Sequence, residues 1–101
     1  MNKKKFIIRT SAKEPEFMTV DGYVETVRYD QSAFGTFDVG YNKYRESWTS
    51  YELSTGIVIG RGFPTRKACA EYVESMKERI AVNLLRLQKA KDELNEYTRT
   101  H

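Results

Sequence analysis

Thr65–Tyr97 reads TRKACAEYVESMKERIAVNLLRLQKAKDELNEY. The stretch holds no Gly and no Pro, and most of its residues are good helix formers. Pro64 stops the preceding segment, and Thr65 is placed to cap the first turn with its hydroxyl. The reading is one continuous helix over residues 65–97. Its apolar positions repeat every seven residues: Val73, Ile80, Leu87 and Leu94 in one row, Met76, Asn83, Ala90 and Tyr97 in the row three places on. Cys69 extends the second row backwards, and Tyr72, Leu84 and Leu85 widen the stripe.

Length then sets a problem. At ~1.5 Å per residue such a helix is a rod of roughly 50 Å, whereas a typical strand covers ~17–20 Å. A small sheet buries the first half, and the second half needs another partner. A second copy of the chain is the simplest one. The expected homodimer interface is Ile80, Asn83, Leu84, Leu87, Leu94 and Tyr97, a coiled-coil seam in which Asn83 would fix register. The alternative is a break near Asn83 that folds the helix back, and no Gly or Pro supports it.

Upstream of the helix the sequence reads as strands. Lys5–Arg9 is a short one. Phe17–Val20 and Tyr23–Tyr29 flank Asp21-Gly22, a dipeptide that predicts a tight hairpin because a type I′ turn needs positive φ at both positions. Asp30–Lys43 gives no clear pattern. Tyr44–Leu53 regains strand character, Ser54-Thr55-Gly56 predicts a turn with Gly in the left-handed position, and Ile57-Val58-Ile59 is a short apolar strand, central or packed beneath the helix. The predicted class is α+β, a small antiparallel sheet of about four to six strands packed on one long C-terminal helix. The chain reads as a single domain over residues 1–101: a β-rich part to residue 63, the helix over 65–97, and a frayed tail over 98–101.

Composition narrows the function classes. The 101 residues carry 17 Lys and Arg against 14 Asp and Glu, a net charge of +3. That is too mild for a dedicated nucleic-acid binder with a concentrated basic stripe, and far from an acidic mimic of DNA. The basic start Met1–Lys5 is followed only by Phe6-Ile7-Ile8, too short for a signal-peptide core, and no apolar run is long enough to span a membrane. A single cysteine excludes an internal disulfide framework, so a reducing cytoplasmic location is expected.

No motif carries catalysis. The one histidine, His101, is the last residue, and the carboxylates among the strands are singletons. Cys69 at the start of the helix reads as a small apolar residue packed on the sheet. No residue set is assigned to catalysis, to a cofactor or to a metal, and a metal-dependent hydrolase is only a distant alternative. Gly60-Arg61-Gly62 before the helix, with Arg66 and Lys67, is the best candidate contact for an anion or nucleic acid. The aromatics are dense, and Tyr41, Tyr44 and Trp48 are the candidate partner-binding side chains, since Tyr, Trp and Arg anchor protein interfaces and can also stack bases.

The expectation is a non-enzymatic binding protein with a protein or nucleoprotein partner, direct nucleic-acid binding being the rival. With one compact domain, no catalytic set, aromatic-rich strands and a long terminal helix, the chain resembles small accessory proteins of phages and mobile elements, among them inhibitors of host defence nucleases. The resemblance is one of overall style; it rests on no motif and transfers no functional residue.

Overall fold

The computed structural model describes residues 3–11, 13–30 and 35–101. Five strands, β1 (Lys3–Arg9), β2 (Phe17–Arg28), β3 (Thr36–Tyr44), β4 (Ser47–Glu52) and β5 (Ile57–Phe63), precede two helices, α1 (Arg66–Leu84) and α2 (Gln88–Thr100). The strands form one antiparallel meander in the order β1-β2-β3-β4-β5. The α+β class is therefore as expected. Part of the unreadable stretch 30–43 is β3; its Phe34 lies outside the described residues.

Asp21-Gly22 is not a turn. Both residues lie inside the unbroken β2, Asp21 opposite Lys5 and Gly22 opposite Lys4. The glycine is required by close approach instead. A Cβ there would sit 1.9 Å from the Tyr41 carbonyl oxygen and 3.0 Å from the Phe6 ring. At Gly40 the same ring would lie 2.6 Å from a Cβ. Phe6 thus packs over two bare backbone positions and meets Tyr51 of β4 at 6.2 Å between centroids.

The sheet is strongly curled. Four strand spacings in a flat sheet would hold β1 and β5 roughly 19 Å apart, yet the Arg9 N–H donates to the Gly56 carbonyl at 2.8 Å, just before β5 begins. The predicted turn before β5 is present: Gly56 has φ of +75°. The buried Glu52 carboxylate holds that turn, accepting from the Ser54 and Thr55 N–H groups and from the Thr55 hydroxyl. β5 is the edge of the hydrogen-bonded order rather than its centre, with Ile59 packed against the core beneath α1.

The other face of the sheet carries the main core, where Val27, Phe37, Val39 and Tyr41 meet Cys69 and Val73 of α1. Thr65 caps α1 as predicted, its hydroxyl accepting from the Ala68 N–H at 3.0 Å. The helix does not run on to Tyr97. Leu85, Arg86 and Leu87 donate to carbonyls three residues back, at 3.2, 2.9 and 3.3 Å. This tightening ends α1, and Leu87 leaves helical geometry at φ −107° and ψ 32°.

The break has a tertiary cause. α2 turns back onto the cross-strand pair Arg9–Phe17, with Glu93 bonded to Arg9 at 2.9 Å and the Tyr97 ring tilted against that of Phe17, 5.0 Å between centroids. Ala90 and Leu94 are buried. These two residues of the second half are covered by the chain itself, and with the helix broken before them the continuous heptad seam does not exist. Thr98–Thr100, expected to fray, belong to α2.

Candidate functional site

The fold-back creates a cleft of about 400 Å³ between the ends of β1 and β5 and the start of α2. Its walls bring together residues remote in sequence. Ile57, Val58 and Leu87 give it an apolar floor. Arg9, Arg61, Arg86 and Lys89 surround that floor, against one carboxylate, Glu93. Arg9 is already engaged: its guanidinium donates to Glu93 Oε1 at 2.9 Å and to the Ser11 carbonyl at 2.9 Å. Arg61, Arg86 and Lys89 are exposed and, among the described residues, their side chains make no hydrogen bond or ion pair. Arg61 also acts at a distance on Tyr51, whose hydroxyl burial pushes up in pKa and the arginine's charge draws partly back.

The three candidate cations do not form one site. Arg61 lines the cleft. Arg66 is half-buried at the first turn of α1, its guanidinium 4.3 Å from the Tyr23 ring centroid and 6.0 Å from that of Trp48, a structural cation–π arrangement. Lys67 is exposed beside it, outside the cleft. Gly60 and Gly62 belong to β5 rather than to a phosphate-cradling loop, and Gly60 makes room for the Tyr72 ring, 2.9 Å from where a Cβ would stand.

The aromatic candidates also separate. Tyr41 is wholly buried, so it cannot contact a partner; its hydroxyl donates to Glu25 at 2.9 Å, and burial first, then that carboxylate, drives its pKa strongly upward. Trp48 is half-buried against Tyr23. Tyr44 alone stands out from the surface, 66% exposed at the tight β3–β4 turn, with Arg45 over its ring and held at φ of +58°. Cys69 is fully buried, and burial raises its thiol pKa.

Of the expected dimer residues, Leu94 is buried within the chain and Tyr97 is half-covered by Phe17. Ile80 and Leu84 pack at the margin of the core, Leu87 floors the cleft, and Asn83 faces solvent. Sequence reasoning missed Arg9, Arg86 and Lys89 as neighbours of Arg61. They come from β1, the link between the helices and α2, and it is the bend, the alternative that the sequence offered near Asn83, that brings Arg86 and Lys89 to Arg61.

No known protein family matches the chain, and neither does any curated protein or solved structure. Among the described residues, no three His, Cys, Asp or Glu side chains gather where a metal could be held. Among the described residues, no helix is long and apolar enough to cross a membrane.

Proposed function

We propose that this protein acts by binding rather than by catalysis, as an accessory protein that modulates or inhibits a protein or nucleoprotein partner. The observation that supports this reading is the apolar surface left in water at the helix bend. Leu85 is 83% exposed and Val82 53% exposed. Three residues apart on a helix, they share one face. Burying such a side chain against a partner gains ~1.5–3 kcal/mol each.

The proposed occupant is a different protein. A dimer of standard size needs ~800 Å² from each partner, and the long seam that would have supplied it is interrupted where Leu94 turns inward. Affinity capture from the native host, with wild-type protein and a Val82→Asp/Leu85→Asp variant side by side, tests the proposal. The expected result is a stoichiometric partner that the variant loses while its thermal melt stays unchanged. Capture undiminished by the variant, or sedimentation equilibrium showing a dimer that the variant dissociates, would overturn it.

A second reading, direct binding to nucleic acid, is favoured by the unpaired cations Arg61, Arg86 and Lys89. If three phosphates were contacted, affinity for a duplex would fall with salt at a log–log slope of about −2.7. No binding of single- or double-stranded DNA or RNA at low salt would remove it.

A further inference from the structure

We infer that the cleft behind the helix bend is a binding site for a small organic phosphate of nucleotide size, separate from the partner surface at Val82 and Leu85. The cleft's volume, about 400 Å³, lies within the range of small-molecule sites, ~300–1,000 Å³. Its chemistry is two-sided. Ile57, Val58 and Leu87 offer a floor for a ring or other apolar body. Arg61, Arg86 and Lys89 offer positive charge with no answering carboxylate, because Glu93 is taken by Arg9.

Charge balance selects a multiply charged ligand. A single carboxylate would leave most of the positive charge unneutralised, whereas a phosphate or diphosphate matches it and suits the planar fork of an arginine. The Arg9–Glu93 pair makes one wall rigid, which lowers the ordering needed when a ligand arrives. The first turn of α2 adds to the same wall. Leu87, Lys89 and Ala90 all line the cleft, and Leu87, at the cap position, supplies no side-chain hydrogen bond to the turn's free N–H groups. The cations and the concavity form the site; the helix terminus adds donors to it. Concavity also sets this site apart from a nucleic-acid track, since Arg66 and Lys67 lie outside it.

Isothermal titration of the full chain with ADP, inorganic phosphate, adenosine and a 12-nucleotide single strand tests the assignment. The expected result is saturable one-to-one binding of ADP, weaker binding of phosphate, and none of adenosine. Arg61→Ala and Arg86→Ala should each weaken ADP roughly 10–100-fold, the worth of a hydrogen bond to a charged group. Lys67→Ala and Leu85→Asp should leave it unchanged, the latter separating this site from the partner surface. Because the side chains of Arg61 and Arg86 are exposed and make no hydrogen bond among the described residues, both variants should fold, and amide shifts at Leu87 and Ala90 on adding ADP give an independent readout. Absence of ADP binding at millimolar concentration, binding indifferent to both arginines, or binding of the oligonucleotide alone would overturn the inference.

Discussion

Leu94→Ala is the sharpest test of the fold-back. Leu94 is 6% exposed within the single chain, although the sequence reading assigns it to a seam with a second copy. Truncating a buried leucine costs ~2–5 kcal/mol. The lower half of that range applies here, because α2 is a surface helix with room to settle; a loss of ~2–3 kcal/mol moves a urea midpoint by about 1–2 M at ordinary m-values. Leu85→Ala is the matched control. It removes the same atoms from a side chain 83% exposed, and the expected change is within ~0.5 kcal/mol. Urea unfolding of both variants, followed by far-UV circular dichroism, gives the comparison. Repeating the wild-type titration over a hundredfold range of protein concentration separates the two ways of covering α2. Docking within one chain leaves the midpoint fixed, whereas docking on a second copy raises it by mass action. If Leu94→Ala is no worse than Leu85→Ala, or if the wild-type midpoint climbs with concentration, the fold-back is wrong.

Gly22→Ala would place a methyl group 1.9 Å from the Tyr41 carbonyl oxygen, a backbone atom that cannot swing away; the expected overpacking of ~1–3 kcal/mol lowers the melting temperature by roughly 5–20 °C, and an unchanged melt would refute the close packing of β2 on β3. Alkaline pH should destabilise the protein, because Tyr41 and Tyr51 hold their protons more tightly folded than unfolded. Their contribution is complete below the ordinary tyrosine value of 10.0 and is lost as pH rises toward their folded values. For the fully buried Tyr41 the slope above that point is about 1.4 kcal/mol per pH unit; a urea midpoint that stays flat from pH 10 to 12, or one whose slope Tyr41→Phe does not reduce, would contradict it.

Much of the sheet could be read from local chemistry. Gly56 was legible because a left-handed turn position is a demand of the backbone itself. Gly22 reads differently for the opposite reason: Asp-Gly is a turn signal only when the flanking runs pair with each other, and here they are one strand, the first run pairing with β1 and the second with β3. What makes Gly22 necessary is Phe6 and the Tyr41 backbone, neither a sequence neighbour. The helix break left no local trace. Leu84 to Gln88 contains nothing that disfavours a helix strongly, and Ala90, Leu94 and Tyr97 keep the seven-residue rhythm across it. The bend is decided by Arg9 and Phe17, which stand some eighty residues away on β1 and β2. The cleft shares that origin: Arg61 could be singled out as a candidate, but its companions Arg86 and Lys89 come near only when the helix turns. Aromatic density likewise could not rank individual residues, since Tyr41 and Tyr44 are three positions apart on one strand and end at opposite extremes of exposure.

Arg9 has a consequence for the order in which the chain assembles. Every strand of the sheet is bonded to its neighbour in sequence, so the meander can zip hairpin by hairpin with short loops to close, the regime of rapid folding. Arg9 is the exception. Its N–H reaches the turn before β5, and its guanidinium reaches Glu93, 84 residues away. Contacts of such separation carry the largest closure entropy and form after the local pairs are in place. One residue near the beginning of the chain therefore acts as its final latch: weakening it speeds opening far more than it slows folding. Persistence of the native state over time thus depends on a contact that contributes little to reaching it.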